Sequence, residues 1–304
     1  MKKIIPYLAV ILAMFFWSLS FIAIKFVFRY MGPFTITFLR LLIACLIMPL
    51  LYYLLPQRDV IKRRHIPHFM LLAFFEPFIY FIGESNGMLY VQASLGAVII
   101  SLIPLITPIF AWFLIKEPLH KWGIAGTIIS FMGVVLIVME VDEAAATFKG
   151  VVLLFLAVFG AVGYGIKLRQ IAMEYKPVTI VMMQTILGML YFLPLFLIIE
   201  GKTFFGDLPP LQAFYPVLGL ALFCTCGSFL LFTFAIKKIG LNNANVFSNM
   251  IPVFTVILAF IILHEAVSLR KSAGILIVVS GLFLSQIPSF RKRGVSLLKI
   301  KSFT

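Results

Sequence analysis

The chain has 304 residues, of which 62% are hydrophobic and 12% are charged, and its formal net charge is +14. A soluble fold of this size has roughly a quarter of its residues charged, so the composition excludes a soluble protein and predicts an exterior that faces lipid. We expect no nucleic-acid partner, because the positive charge lies in short loops between apolar segments and no basic helix or RNA-type aromatic motif accompanies it.

Apolar segments long enough to cross a bilayer follow one another along the chain. A spanning helix needs roughly 20 mainly apolar residues, and the breaks at Gly32–Pro33, Lys176–Pro177 and Pro209–Pro210 mark positions where helices begin, since proline is tolerated there. The sequence therefore predicts an all-α integral membrane protein with ten transmembrane helices. These predicted spans are 4–28, 33–55, 68–90, 93–115, 122–140, 150–173, 178–199, 211–235, 243–263 and 270–287.

One block of sequence occurs twice at a constant spacing. Its members are Pro104, Ala111, Glu117, Gly126 and Gly133, which recur as Pro252, Ala259, Glu265, Gly274 and Gly281, while Ser101 corresponds to Asn249. Proline and glutamate repeated inside apolar sequence indicate an internal duplication. Five spans per half is an odd number, so the second half enters the membrane with inverted orientation, as transporter repeats do.

The distribution of lysine and arginine predicts the orientation, because these residues are retained in short cytoplasmic loops. The loop at 58–64 is strongly basic, whereas its counterpart at 200–207 is mixed in charge. We expect a multi-pass protein of the cell membrane with both termini in the cytoplasm. The predicted divisions are a first repeat at 1–140, a second, inverted repeat at 150–288 and a basic cytoplasmic tail at 289–304.

Several of these residues resemble the EamA-type branch of the drug/metabolite transporter superfamily. The matching features are Trp17 and Lys25 in span one, Phe38-Leu39-Arg40 in span two, the Ala93–Pro104–Glu117 block and its repeat Asn245–Pro252–Glu265. The resemblance covers essentially the whole chain. It implies ten helices with both ends cytoplasmic and the transport of small metabolites, often by export. It names no single substrate, since the family does not share one.

Span three carries the most informative ionisable residues. Glu76, Tyr80 and Glu84 are spaced i, i+4, i+8, which places them on one stripe of a helix. Ionisable groups inside a bilayer normally face a cavity or a partner. We expect the stripe to face a central cavity, with Glu84 or Glu76 as proton acceptor or cation ligand. Arg40 in span two is a further candidate for substrate binding or coupling. The alternative is a buried ion pair with Arg40 or Lys25 that only fixes the packing.

Small residues and prolines predict close approaches and breaks among the helices. Gly83 and Gly87 form a small-xxx-small pair that allows a neighbouring helix to approach. Pro104, Pro108 and Pro252 each remove an intrahelical hydrogen bond, which membrane interiors tolerate where the freed carbonyl lines a cavity. The neighbouring candidates for substrate contacts are Ser101, Asn245 and Asn249. For the two asparagines, the alternative is hydrogen bonding between helices.

Further candidates have weaker support in the sequence. Aromatic residues in apolar spans commonly serve as packing or interface anchors, and the secondary candidates for substrate contact are Trp17, Ser18, Ser20, Tyr164 and Gln184. Glu117 and Glu265 lie at helix ends near basic residues. We expect these two glutamates to cap or pair at the membrane surface and to help gating without binding the substrate.

The pattern favours a secondary transporter of a small metabolite, such as an amino acid or an amphipathic compound, with alternating access and proton coupling as a hypothesis. The first alternative is a lipid or lipid-linked-sugar flippase of the same fold, which should open its groove to lipid where a metabolite carrier keeps an enclosed cavity. The second is a membrane enzyme acting on lipid, for which Asp59, His65 and His68 come nearest to a site. We expect no enzymatic activity, cofactor or metal site, and no ATP-binding loop occurs.

Overall fold

The computed structural model describes residues 4–55, 58–91, 93–118, 121–138, 148–263, 268–270 and 272–285. These residues form helices and contain no strand, which confirms the predicted all-α class. In chain order the helices are α1 (Ile5–Val27), α2 (Pro33–Leu54), α3 (Arg63–Gly87), α4 (Ala93–Ile100), α5 (Ile103–Ile115), α6 (Lys121–Val138), α7 (Phe148–Ile171), α8 (Pro177–Gly206), α9 (Leu211–Ile239), α10 (Leu241–Asn245), α11 (Met250–Leu263) and α12 (Ser272–Ser285).

Seven helices within the described ranges are long and apolar enough to cross a membrane. They are α1, α2, α3, α7, α8, α9 and the stretch Leu241–Ile262, which joins α10 to α11. The helices α5, α6 and α12 are apolar but shorter. Among the described residues, seven segments therefore reach the length expected of an uninterrupted crossing, and the number of ten transmembrane helices stays a prediction.

The polarity of the molecule is that of a membrane protein. Large apolar side chains lie on the outside, with Leu54 71% and Ile198 81% exposed, whereas Arg40 is 2% and Glu84 3% exposed. A charged group is stable inside such a structure only where it faces a cavity or a polar partner. The few buried ionisable residues therefore indicate a polar region inside the bundle.

The helix α3 is interrupted in its middle, which corrects the prediction of one continuous helix. A π-helical segment occupies Phe74–Ile79, and Glu76 has the extended angles φ −148° and ψ 120°. The cause is Pro77, because proline disfavours the α conformation for the residue before it and has no N–H to continue the ladder. The i, i+4, i+8 stripe therefore does not exist as a regular helical face.

Two further breaks correct the predicted positions of the repeated prolines. A turn at Ser101–Leu102 separates α4 from α5, and a 3₁₀ segment at Val246–Asn249 separates α10 from α11. Pro104 and Pro252 consequently lie in the first turn of a new helix, where a missing N–H has no helical partner to lose. Among the three predicted helix-breaking prolines, Pro108 is the one that lies inside a helix.

The helices α2 and α8 pack antiparallel, and the N-terminus of each is capped by a carboxylate near the C-terminal end of the other: Asp59 follows α2, and Glu200 lies within the last part of α8. Asp59 Oδ2 accepts hydrogen bonds from Lys176 N at 2.5 Å and Thr179 Oγ1 at 2.8 Å. Glu200 Oε2 accepts hydrogen bonds from Thr35 N at 2.7 Å and Thr35 Oγ1 at 2.6 Å. A carboxylate at a helix N-terminus satisfies free N–H groups and interacts favourably with the helix dipole. We call Asp59 and Glu200 the reciprocal caps.

Glycine contacts bring two further pairs of helices close together. A Cβ atom on Gly83 would lie 2.4 Å from Leu153 O, so α3 and α7 approach as the small-xxx-small spacing predicts. Between α6 and α12, a Cβ atom on Gly126 would lie 2.4 Å from Gly281 O, and one on Gly133 would lie 2.7 Å from Gly274 O. The last two contacts join the repeated glycines of the two halves.

Candidate functional site

A small internal cavity of about 50 Å³ lies between α1, α2, α3, α7 and the stretch 241–251. Its polar lining consists of Trp17, Ser20, Arg40, Glu76, Tyr80, Glu84, Tyr164, Asn245 and Ser248. Apolar side chains from α1, α3, α4, α5, α9 and α11 complete the wall. The site is therefore assembled from many helices, and we call it the central cavity.

The central cavity brings together most of the residues that the sequence suggested for substrate binding or coupling. Glu76, Tyr80 and Glu84 face it despite the break in α3, because Glu76 reaches it from the extended segment and the others from the helix that follows. Ser18, Ser101, Asn249 and Gln184 are not part of the lining.

The predicted candidates outside the lining have identifiable positions. Gln184 Oε1 accepts a hydrogen bond from Tyr164 OH at 3.3 Å, so the Gln184 side chain contacts a residue of the cavity lining. Ser101 Oγ donates to Ala97 O at 2.9 Å beside the break between α4 and α5. Asn249 is completely buried, and neither atom of its side-chain amide has a hydrogen-bond partner.

One carboxylate oxygen of Glu84 has no hydrogen-bond partner in the central cavity. Its Oε1 atom accepts a hydrogen bond from Tyr80 OH at 3.4 Å, whereas its buried Oε2 atom has no partner. Asn245 Nδ2 is likewise buried without a partner. A buried polar atom without a hydrogen bond costs roughly 1–3 kcal/mol. The cavity thus presents one free acceptor and one free donor to whatever enters it.

Arg40 is the cationic member of the cavity, but it forms no ion pair there. Its Nε atom donates to Thr225 Oγ1 at 2.9 Å, and its guanidinium carbon lies 4.4 Å from the centre of the Phe81 ring. Within the described ranges, no carboxylate lies within 4.0 Å of it. The guanidinium nevertheless interacts electrostatically with the carboxyl groups of Glu76 and Glu84.

Lys25 is separate from these carboxylates as well. Its ammonium group donates to the backbone carbonyls of Met88 and Val91, at 2.8 Å for Val91, which lie just beyond the end of α3. A cation at a helix C-terminus is stabilised by the helix dipole and by free carbonyls. The predicted alternative, a direct ion pair of Glu76 or Glu84 with Arg40 or Lys25, is therefore not formed.

The volume of the central cavity limits what it holds in this conformation. A void of about 50 Å³ accommodates only a few water molecules, whereas small-molecule sites commonly measure about 300–1,000 Å³. A metabolite therefore requires the surrounding helices to separate. The breaks in α3 and beside Pro104 and Pro252 lie next to the cavity and give those helices separate segments.

The Glu117 carboxylate contacts two other helices of the bundle, α7 and α10. It follows α5, its Oε1 atom accepts a hydrogen bond from Asn242 N at 3.1 Å, and its Oε2 atom lies 3.4 Å from Arg169 Nε. Its partner is thus an arginine of α7 and not a neighbouring lysine. Gly240, with φ 88°, permits the sharp turn that presents Asn242. Its repeat partner Glu265 lies outside the described residues.

Sequence reasoning missed Ser248 as a lining residue. Its position between Asn245 and Pro252, inside the repeated block, was the available signal. Trp17 was identified, but its Nε1 atom donates to Cys224 O at 3.1 Å, so its ring, not its N–H, is free to contact a ligand. Among the described residues, no group of three His, Cys, Asp or Glu side chains is placed to hold a metal ion.

Comparisons with known proteins agree with this architecture. Residues 4–139 and 148–286 each match the sequence model of the EamA-like transporter family. An uncharacterized transporter of Archaeoglobus fulgidus is 28% identical over 284 residues, covering 93% of this chain and 98% of its own. The uncharacterized transporter YetK of Bacillus subtilis is 24% identical over 291 residues, covering 94% of this chain and 88% of its own.

A solved crystal structure has the same fold, with a TM-score of 0.76 at 16% identity and coverage of 94% of this chain and 98% of the other. The apolar exterior, the spanning helices and the internal polar cavity define a multi-pass membrane protein. Because the family model matches nearly the whole chain, the protein belongs to the EamA-like transporter family and is a membrane transporter.

Proposed function

We propose that this protein is a secondary-active transporter that carries a small polar or amphipathic metabolite, such as an amino acid, through the central cavity. The observation that carries the proposal is that the unpaired acceptor Glu84 Oε2 and the unpaired donor Asn245 Nδ2 belong to residues that line the same cavity. An ammonium group would bind the carboxylate, while a carboxylate or hydroxyl group would bind the asparagine amide and Arg40. Transporter sites commonly combine such groups at interrupted helices.

Proton coupling follows from the charges of the same cavity. Glu76 and Glu84 repel each other when both are ionised, and Arg40 compensates for only one of them. One carboxyl group is therefore free to take up a proton, or to exchange it for the cationic group of a substrate. Tyr80 lines the same cavity as Glu76 and Glu84, and its hydroxyl group donates a hydrogen bond to Glu84.

Alternating access would arise from two inverted five-helix repeats, at 1–140 and 150–288, with both termini in the cytoplasm. Two observations support this: the family model matches the chain twice, and the reciprocal caps relate α2 to α8 at opposite ends. Glu117 then forms the cytoplasmic gate with Asn242. The repeat gives Glu265 the corresponding role at the other membrane surface.

A carrier is favoured over a flippase because most of the side chains that line the central cavity are buried. A flippase would need this polar site to be continuous with a lipid-facing opening. The direction of transport that we propose is export, on the basis of the family resemblance.

The test is reconstitution of the purified protein in liposomes, with lumenal pH followed while amino acids, nucleosides and amphipathic cations are offered in turn. We expect a cargo-dependent proton flux that Glu84→Gln abolishes. Asp207→Asn is the matched control, because Asp207 is exposed and its side chain has no partner among the described residues. Normal flux in the Glu84 variant would refute the coupling role, and movement of lipid alone would favour the flippase.

A further inference from the structure

A second concavity, larger than the first, opens on the surface of the bundle. It is a groove of about 570 Å³ between α1, α9 and the end of α11. Phe21 lies in the walls of both voids and separates this groove from the central cavity. Phe223 and Ile262, which are 52% and 49% exposed, form its outer edges. We call it the lateral groove.

The lateral groove has two cations at one end and no acidic residue in its lining. Lys25 and Arg29 are one helical turn apart, and Arg29 lies in the turn that follows α1. The guanidinium carbon of Arg29 lies 5.9 Å from the centre of the Phe26 ring. Within the described part of the chain, neither cation has a carboxylate within 4.0 Å. Among the described residues, the Lys25 ammonium therefore has only the backbone carbonyls of Met88 and Val91 as partners, and Arg29 has no anionic partner.

The position of these cations matches the structure of a bilayer. Arg29 follows the end of α1, a helix long enough to span a bilayer, so we expect it to lie among the lipid headgroups. Lys25 lies one helical turn before it in α1. The rest of the groove is apolar and lies at the depth of the acyl chains. Basic pockets between transmembrane helices attract anionic headgroups.

We propose that the lateral groove binds an anionic phospholipid. Its phosphate would lie against Arg29 and Lys25, and one acyl chain would run along Phe223 toward Ile262. Lipid tails gain little from leaving one apolar environment for another. We therefore expect the two cations to select anionic over zwitterionic lipids, and the shape of the groove to accommodate the acyl chain. This inference does not depend on the identity of the transported metabolite.

Gly219 gives a direct way to fill the groove. A Cβ atom at this position would meet no atom within 4 Å, so a larger side chain extends into open space without a clash. Gly206 has equally open surroundings but does not line the groove, which makes it the matched control. For the charge, Arg58 is the matched control, because it is also exposed and lies 5.2 Å from the ring of Tyr53.

The experiment is native mass spectrometry of the purified, delipidated protein, titrated with phosphatidylglycerol or phosphatidylcholine of identical chains. We expect one phosphatidylglycerol to bind preferentially, with Arg29→Gln weakening it on the order of fivefold and Arg58→Gln leaving it unchanged. Gly219→Leu should abolish this binding, while Gly206→Leu should retain it. Ile262→Trp provides a second way to fill the groove if the first variant does not fold.

Equal binding of the two lipids would overturn the proposal, as would equal weakening by the Arg29 and Arg58 variants. A dimer that Gly219→Leu dissociates, without any change in lipid binding, would assign the groove to a second copy of this chain and would also overturn it. The liposome transport assay reads out the central cavity separately, so failure of lipid binding leaves the proposed transport untouched.

Discussion

The central cavity and the lateral groove share one wall and differ in every other respect. The cavity measures about 50 Å³ and contains two carboxyl groups, whereas the groove measures about 570 Å³ and contains two cations. Buried polar atoms without partners occur in the smaller void. We therefore assign the polar substrate to the smaller void. Polar groups without hydrogen bonds are costly in a membrane interior, and binding of a polar substrate would satisfy them.

The largest expected effect tests the charge balance of the central cavity. Arg40→Gln leaves Glu76 and Glu84 without their cation, and removing one member of a buried charge cluster costs about 3–5 kcal/mol. We expect a much lower midpoint of thermal unfolding in detergent. The double variant Arg40→Gln/Glu84→Gln should recover part of this loss, and a double variant that is no more stable than the single one would contradict the charge explanation.

The second effect removes the wall between the two voids. Phe21 is 2% exposed, so Phe21→Ala should lower the free energy of unfolding by about 3 kcal/mol. It should also let lipid tails reach the central cavity and impair metabolite transport. Thermal unfolding and the liposome assay measure the two consequences. Phe283→Ala, at an exposed position of α12, is the control; equal effects of both substitutions would show that Phe21 does not separate the voids.

A smaller effect distinguishes two buried asparagines. Asn245 lines the central cavity and Asn249 does not. Loss of one substrate hydrogen bond costs about 1.4 kcal/mol, so Asn245→Ala should weaken the apparent substrate affinity about tenfold. Asn249→Ala should leave the affinity unchanged. Substrate-dependent flux at varied concentrations is the measurement, and the reverse ranking would move the binding site toward α11.

The smallest effect concerns the contacts of Glu117 with Asn242 and Arg169, which we propose form a gate. Partly exposed ion pairs contribute at most about 1 kcal/mol, so Glu117→Gln should increase opening only several-fold. The measurement is the rate at which a membrane-impermeant thiol reagent modifies Ser248→Cys in a background without the native cysteines. Arg169→Gln should have a similar effect. Glu174→Gln, which alters an exposed ion pair with Lys62, should not have this effect; acceleration by this variant would argue against a specific gate.

Much of the fold follows from the sequence because apolar length and proline positions are local signals. The beginnings of α2 and α8 at Pro33 and Pro177, and the close approach at Gly83, were predicted from such signals and are confirmed. Most cavity residues were found for a similar reason, since an ionisable residue in an apolar span requires a polar neighbourhood wherever it lies.

The remaining features depend on contacts between distant residues. The break at Glu76 was not predicted, because the regular helical spacing of the ionisable residues was given more weight than the effect of Pro77. The hydrogen bond from Arg40 to Thr225 depends on the packing of α2 against α9. The lateral groove was not predicted at all. It is formed by the mutual placement of α1, α9 and α11, and no motif marks it.

The reciprocal caps have a consequence for the order of assembly during synthesis. The first turn of α2 depends on Glu200, and the first turn of α8 depends on Asp59, so each half of the chain completes a helix of the other. Open N–H groups are costly next to lipid, and the amino-terminal half is therefore incomplete when it leaves the ribosome. Two fragments, 4–138 and 148–285, should accumulate when they are coexpressed and be degraded when either is made alone.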